Sequence, residues 1–229
     1  MDLDTKLIIR YAIRETMGVV IVGVALFWSA GRMDWWPAWV LVLVTAAWVL
    51  ATAIAILRLN PDLLAERLGP REGAKTWDTV IMSIVGVSQL ARLVIAGLDQ
   101  RFGWTGGFPL AAQVAAVGIS ALGYALVVWA TGANAYFSQI TRIQTEREHS
   151  VTSRGPYRWV RHPAYVGSIL FELAVPILLD SWWALIPGGL NAVLFAVRTA
   201  LEDRTLKAEL PGYVEYANEV EYRLLPGIW

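Results

Sequence analysis

The sequence has 229 residues, of which 56% are hydrophobic and only 17% are charged, and its mean hydropathy is +0.49. This composition departs from that of soluble domains and is typical of membrane proteins. The formal net charge is zero and no basic run indicates a nucleic-acid partner, while the lack of cysteine excludes disulfides, thiolate catalysis and cysteine-based metal sites.

Six apolar runs approach or reach the roughly 20 residues that a helix needs to cross a bilayer. They cover residues 17–31 (extended backward by Ala12 and Ile13), 35–57, 79–98, 108–131, 163–179 and 182–200. No small-residue cleavage site follows the N-terminus, so the first run is predicted to be a retained span. Only Asp180 and Ser181 separate the last two runs. The sequence therefore predicts an all-α integral membrane protein with six transmembrane helices and a C-terminal helical hairpin.

The positions of the basic residues predict the orientation. Lysines and arginines precede the first span, follow the sixth, and lie between spans two and three and between spans four and five. Those between spans two and three are Arg58, Arg67, Arg71 and Lys75. The alternate loops hold only Arg32 and Arg101. Basic residues concentrate on the cytoplasmic side of membrane proteins, so both termini and the large loops are predicted to be cytoplasmic.

The segment 155–167, which reads GPYRWVRHPAYVG, is rich in polar and turn-forming residues. Pro163 is well tolerated in the first turn of a helix, so a helix is predicted to begin there, with Tyr157, Arg161 and His162 just before it. Unpaired backbone N–H groups at such a helix start attract carboxylate or phosphate. A ligand with an anionic part is therefore predicted at this point.

Four further charged residues have two interpretations each. Arg198 and Glu202 are four residues apart and share one face if a helix continues from the last span, so they either pair with each other or bind opposite ends of a zwitterion. Arg92 and Glu172 fall inside spans, where charges are costly. They are predicted either to line a substrate tunnel, as a mutual ion pair, or to form a structural bridge within the bundle.

From residue 134 to the end, the sequence resembles the isoprenylcysteine carboxyl methyltransferase family of integral-membrane, S-adenosylmethionine-dependent methyltransferases, with phospholipid methyltransferases as more distant relatives. The resemblance rests on five motifs in order: His149-Ser-Val-Thr152, Gly155-Pro-Tyr157, Arg161-His-Pro-Ala-Tyr165-Val-Gly167, Arg198 four residues before Glu202, and Leu210-Pro-Gly-Tyr213 with Tyr216. It implies a four-span N-terminal membrane region, 1–132, and a C-terminal methyltransferase core, 133–229.

The resemblance also implies a site. The cytoplasmic loop before the fifth span and the helix after the last span would enclose S-adenosylmethionine. Arg198 would face the methyl acceptor and Glu202 would close the pocket. Both are implied to be catalytic residues. Arg142 stands where eukaryotic relatives carry a glutamine. The implied cofactor contacts are Arg142, His149, Ser150, Val151, Thr152, Tyr157, His162, Pro163, Ala164, Tyr165 and Glu202.

The function that the resemblance implies is carboxyl O-methylation of an isoprenylated cysteine or a similar lipid-like acceptor, with the bilayer and that acceptor as partners and no metal. A carboxylate acceptor needs no base, whereas an amine must first lose a proton, for instance to Glu202. Phospholipid N-methylation and methylation of a small thiol are the related alternatives. A transporter or a non-catalytic membrane binding protein is the alternative from another class, although the internal repeats typical of transporters are not found.

Overall fold

The computed structural model describes residues 5–68, 72–104 and 106–229, and Arg71, one of the residues used to predict the orientation, lies outside these ranges. Every regular element within them is helical, as predicted. The helices are α1 (Thr5–Ala30), α2 (Trp36–Leu59), α3 (Leu63–Glu66), α4 (Thr76–Phe102), α5 (Leu110–Ala133), α6 (Pro163–Leu178), α7 (Leu185–Glu209) and α8 (Tyr213–Glu219). Two short 3-10 turns, Thr145–Arg147 and Gly155–Arg158, lie in the loop between α5 and α6.

Each predicted span coincides with one long helix, and the ends of several follow local chemistry. Pro37 lies in the first turn of α2 and Pro163 opens α6, where a proline costs no hydrogen bond. Gly103 ends α4 in the left-handed conformation, with φ +65°. The short helices α3 and α8, which lie outside the apolar runs, were not predicted.

Four helices, α2, α4, α5 and α7, are long and apolar enough to cross a membrane, and α6 is a shorter apolar helix of 16 residues. Large apolar side chains, such as Ile21, Leu50, Leu122 and Ile186, are exposed along the bundle, as lipid contact requires. The chain is therefore an integral membrane protein. The count of six spans and the cytoplasmic side of the loops stay predictions.

The six long helices contact one another in a closed ring, in the order α1, α2, α5, α6, α7 and α4. Small residues allow the closest approaches. A Cβ atom at Gly123 of α5 would lie 2.6 Å from the Gly167 carbonyl oxygen of α6, and one at Gly188 of α7 would lie 2.6 Å from the Glu172 carbonyl oxygen. Such backbone-to-backbone packing is how helices associate in lipid, where burial of apolar surface gives little driving force.

The C-terminal hairpin differs in detail from the prediction. The connection between α6 and α7 runs over residues 179–184 rather than over two residues, and Asp180 adopts a left-handed conformation with φ 61°. In addition, α7 continues past the predicted end of the span at residue 200 to Glu209. The helix α7 therefore carries both Arg198 and Glu202, as the prediction that they share one helix face requires.

Arg92 and Glu172 form the predicted ion pair, with Nη1 of Arg92 2.5 Å from Oε2 of Glu172. Gln89 and Asn191 each donate an amide hydrogen bond of 2.9 Å to the Glu172 carboxylate. The pair joins α4 to α6, so the structural bridge is confirmed. Both charged residues also line the cavity described below, and a role in a substrate tunnel stays a prediction. Mutual neutralisation explains how the two charges are tolerated within the bundle.

Candidate active site

A cavity of about 670 Å³ opens inside the ring of helices and reaches the loop between α5 and α6. One part of its wall is apolar and includes Val19, Val22 and Leu41 from α1 and α2. The other part is polar and comes from the loop, from the start of α6 and from the second half of α7. Its volume and mixed lining are typical of small-molecule sites.

The structure brings nearly all of the residues implied by the sequence to this one cavity. Those that line it are Arg142, His149, Val151, Thr152, Tyr157, His162, Ala164, Tyr165, Arg198 and Glu202. Ser150 and Pro163 are not part of the lining. Ser150 contacts the Tyr136 hydroxyl at 3.4 Å, and Pro163 forms the first turn of α6.

Glu202 lines the polar part of the cavity. Its Oε2 atom accepts a hydrogen bond of 3.1 Å from the Thr141 hydroxyl and another from the Tyr165 hydroxyl. His162 and Glu202, which are far apart in sequence, approach to 4.0 Å between Nδ1 and Oε1. The carboxylate side chain keeps 23% of its surface exposed. A negative charge is therefore available to a bound molecule.

Arg198 does not pair with Glu202, which was one of its two predicted interactions. Its Nε and Nη2 atoms donate to the two carboxylate oxygens of Asp78 at 2.6 and 2.8 Å, and Nη2 also donates to the Gln139 carbonyl. Its guanidinium carbon lies 5.1 Å from the centre of the Tyr165 ring. Asp78 is fully buried at the start of α4, and sequence reasoning missed it. The only signal was an acidic residue directly before an apolar run.

The N-terminal end of α6 differs from the expected anion site. The backbone N–H groups of Arg161 and His162 donate to the carbonyls of Tyr222 and Arg223, both at 2.9 Å, so the C-terminal segment occupies them. Those of Tyr165 and Val166 donate to the His162 carbonyl. An anion therefore finds these donors already used.

Asp203, next to Glu202 on α7, holds this C-terminal segment in place. Its buried carboxylate accepts hydrogen bonds from Arg161 at 2.7 Å, from Arg223 at 3.0 Å and from the Tyr213 hydroxyl at 3.1 Å. Arg161 also donates to two carbonyls of the segment, those of Val220 and Glu221. The guanidinium of Arg161 is therefore buried and serves to fix the C-terminal segment.

Comparison with known proteins gives a match to one family over part of the chain. The sequence model of the isoprenylcysteine carboxyl methyltransferase (ICMT) family matches residues 115–208, which run from α5 through the loop and α6 to the end of α7. Residues 115–208 are therefore similar to the ICMT family, and this segment is called the ICMT-family region below. The predicted family resemblance is thereby confirmed.

Two similar proteins extend this result. The chain superposes on the structure of the eukaryotic intramembrane Ras methyltransferase ICMT with a TM-score of 0.56 and 17% identity, over 93% of this chain and 75% of that one. This likeness shows a shared fold. The uncharacterized protein YpbQ of Bacillus subtilis (strain 168) is 36% identical over 58 residues, which are 25% of this chain and 34% of YpbQ.

Within the ICMT-family region, Arg142 has little to offer a ligand. Nε and Nη2 donate to Glu66 at 3.1 and 2.8 Å, Nη1 and Nη2 also donate to Glu146, and Nη1 contacts the Glu72 carbonyl. A guanidinium has five N–H groups, and these contacts use all of them. Burial lowers the pKa of Arg142, but the bonds to both carboxylates outweigh it and raise the pKa. Its role as a cofactor contact is not favoured, and it serves to fix the loop against α3.

The loop residues of the ICMT-family region are held by neutral contacts. His149 stacks on Tyr136 with ring centres 4.5 Å apart, and its Nδ1 accepts a hydrogen bond from the Gln144 N–H at 3.3 Å. Burial, followed by the charges of Arg147 and Arg142, lowers the pKa of His149 to about 4. His149 is therefore neutral at physiological pH.

Asn134 is a second residue of the site that sequence reasoning missed. Its Oδ1 accepts hydrogen bonds from the Thr152 hydroxyl at 3.2 Å and from the Tyr136 N–H at 2.9 Å, and its Nδ2 donates to the Tyr157 hydroxyl at 3.4 Å. It connects two of the implied cofactor contacts, Thr152 and Tyr157. Burial raises the pKa of Tyr157, so this hydroxyl stays protonated.

Proposed function

We propose that the chain is a membrane methyltransferase that uses S-adenosylmethionine to methylate a hydrophobic acceptor. The observation that supports this function is a continuous cavity that joins the polar residues of the ICMT-family region to an apolar wall inside the helix ring. Residues 133–229 would supply the catalytic core, and residues 1–132 most of the acceptor's apolar surroundings. A polar end beside a lipid-facing end suits a reaction between a nucleoside cofactor and a lipid-like molecule.

The residues present fit this cofactor. S-adenosylmethionine supplies a methyl group that is already activated by its attachment to a sulfonium. Glu202 offers a carboxylate to a cation, and the Thr141 and Tyr165 hydroxyls fix its orientation. The aromatic face of Tyr165 adds a weaker attraction for positive charge. His149, Thr152, Tyr157 and His162 complete the polar wall.

The acceptor that we propose first is a carboxylate on an isoprenylated cysteine or a similar lipid. Such a group is ionised at neutral pH and attacks the methyl carbon without a base, so alignment and exclusion of water would be the main contributions of the protein. Arg198 keeps Nη1 without a hydrogen-bond partner among the described residues, so this atom is available to hold one carboxylate oxygen.

The charges around Arg198 favour a second candidate for the methyl acceptor. Asp78 already neutralises Arg198, and Glu202, whose carboxylate accepts bonds from the Thr141 and Tyr165 hydroxyls, contributes a negative charge to the same part of the cavity. This balance suits an acceptor that is protonated before the reaction, such as a phospholipid amine or a thiol. Glu202 would then take the proton as a general base.

Isothermal titration of the folded protein in detergent with S-adenosylmethionine tests the methyltransferase function. We expect saturable binding at micromolar to millimolar cofactor. A folded protein that shows no binding over this range would instead indicate a transporter or a non-catalytic binding protein.

Transfer of a labelled methyl group distinguishes the two candidate classes of methyl acceptor. Membranes that contain the protein are incubated with methyl-labelled cofactor, and the lipid fraction is then treated with mild base. Release of the label as volatile methanol indicates a methyl ester and therefore a carboxylate acceptor. Label that stays non-volatile throughout, including any in a headgroup freed by deacylation, indicates an N-methyl or S-methyl product and refutes the first candidate.

A further inference from the structure

Arg67 is a buried cation in the wall of the cavity, outside the region that matches the ICMT family. It follows α3 directly, and only 5% of its surface is exposed. Its Nη2 atom donates to the Thr131 hydroxyl at 3.3 Å, and its guanidinium carbon lies 5.1 Å from the centre of the Phe137 ring. Both partners are uncharged, so the positive charge of Arg67 is not neutralised by them.

The other buried arginines that line the cavity each have a carboxylate partner. The pairs are Arg92 with Glu172, Arg142 with Glu66, Arg161 with Asp203 and Arg198 with Asp78. Within the described parts of the chain, Arg67 has no such ion pair, and its Nε atom has no hydrogen-bond partner. Glu15 lies within electrostatic range of Arg67, but it bonds Arg14.

A buried guanidinium without an anion is costly, because burial removes the charge from water without replacing its interactions. Burial accordingly lowers the pKa of Arg67. An arginine remains protonated even so, and its planar N–H groups match the two oxygens of a carboxylate. A bound carboxylate would supply the missing negative charge.

The position of Arg67 places this charge at the polar end of the cavity. Thr131, its hydrogen-bond partner, lies in the last turn of α5, and Asn134, which follows that helix, contacts Tyr157. Arg67 also lies within electrostatic range of Tyr157. Four backbone donors around the start of α6 are already used, two of them by the C-terminal segment and two by the His162 carbonyl, so Arg67 is the better candidate for this task.

We propose that Arg67 binds a carboxylate of a molecule held in the cavity. The proposal rests on the proposed function for the identity of that molecule, which is either the amino-acid part of S-adenosylmethionine or a carboxylate acceptor. The chemistry is the same in both cases. Arg67 is then a binding residue contributed by the N-terminal half of the chain.

The test compares carboxylate preference in the wild-type protein, in Arg67→Met and in Arg67→Lys, each in detergent. The first arm measures binding of S-adenosylmethionine and of its decarboxylated form. The second arm measures binding of a long-chain fatty acid and of its carboxamide. Arg58→Met is the matched control, because it removes an exposed positive charge in the last turn of α2. Circular dichroism and thermal unfolding verify that each variant is folded.

We expect the wild-type protein to prefer the carboxylate form in one arm by about tenfold or more, as a charged hydrogen bond provides. Arg67→Met should abolish that preference, Arg67→Lys should retain part of it, and Arg58→Met should leave it unchanged. Loss in the first arm assigns the carboxylate to the cofactor, and loss in the second assigns it to the acceptor.

The proposal is overturned if folded Arg67→Met keeps the wild-type preference in both arms, or if the wild-type protein shows no preference in either. Failure of the proposed function gives a different result. In that case neither form of the cofactor binds the wild-type protein, while the fatty-acid arm still reports on Arg67.

Discussion

Asp78 at the start of α4 holds Arg198 in the middle of α7 through two hydrogen bonds, of 2.6 and 2.8 Å, and both residues are buried. Asp78 also accepts a bond from the Thr141 N–H through Oδ2, so a single carboxylate fixes the arginine of the site and the loop beside it. This contact links the N-terminal helices to the ICMT-family region. It shows that the polar end of the cavity depends on a residue outside that region.

Replacement of this carboxylate should therefore destabilise the protein. Asp78→Ala leaves Arg198 buried without its anion, and the loss of one partner from a buried ion pair costs about 3–5 kcal/mol. Lys75→Ala is the matched control, since it removes a partly exposed pair with Glu209 one turn earlier and should cost at most about 1 kcal/mol. Denaturant unfolding in detergent measures both. Equal losses would mean that the Asp78–Arg198 pair does not stabilise the bundle.

The charge of Glu202 should favour the sulfonium form of the cofactor. We expect Glu202→Gln to weaken binding of S-adenosylmethionine by about tenfold or more, because a charged interaction is lost. S-adenosylhomocysteine lacks the sulfonium charge, so its affinity should change much less. Titration of both ligands measures the ratio, and Glu209→Gln, on the same helix and exposed, should leave it unchanged. An equal loss for both ligands would contradict contact between Glu202 and the sulfonium.

The neutral state of His149 predicts a pH dependence of stability. The pKa of His149 falls from 6.5 to about 4 on folding, because burial and the charges of Arg147 and Arg142 disfavour protonation. Below about pH 6.5 the unfolded state binds a proton that the folded state does not, so stability is complete above this pH and decreases as the pH falls toward about 4.

His149→Asn should remove this part of the pH dependence. Between about pH 7 and pH 5 the wild-type protein should lose about 1–2 kcal/mol more stability than the variant, after allowance for partial exposure of the ring. Denaturant unfolding at several pH values measures the difference. His162, the other histidine of the chain, is present in both proteins, so its contribution largely cancels. Parallel pH profiles would show that His149 is not held neutral.

The C-terminal segment should detach when Asp203 is neutralised. Asp203→Asn weakens the bonds from Arg161 and Arg223 that hold this segment on α7. Local opening should become easier by more than about 1.4 kcal/mol, so proteolytic cleavage after residue 213 should accelerate by at least about tenfold. Mass spectrometry of timed digests locates the cleavage. Glu215→Gln, which changes an exposed carboxylate of α8, should cleave at the wild-type rate. Unchanged cleavage of Asp203→Asn would show that other contacts hold the segment.

Several features were predictable because they depend on local chemistry or on composition. The apolar runs predicted the six long helices, since a helix in lipid must satisfy its own backbone hydrogen bonds. Pro163 predicted the start of α6, and the spacing of Arg198 and Glu202 placed both on the face of α7 that meets Tyr165. The ordered motifs predicted the family that the comparison confirms.

The sequence by itself thus determined the helical membrane fold, the family resemblance of the C-terminal half and most of the residues that meet in the cavity. Only the tertiary structure decided the pairing of charges: Arg198 bonds Asp78, Arg142 bonds Glu66, and Arg67 has no acidic partner in the described parts of the chain. Pairing follows from which helices are neighbours, and the partners are 120 and 76 residues apart. Spacing along one helix reveals only which residues share its face. The neighbouring helix decides which of their charges are neutralised and which remain available to a ligand.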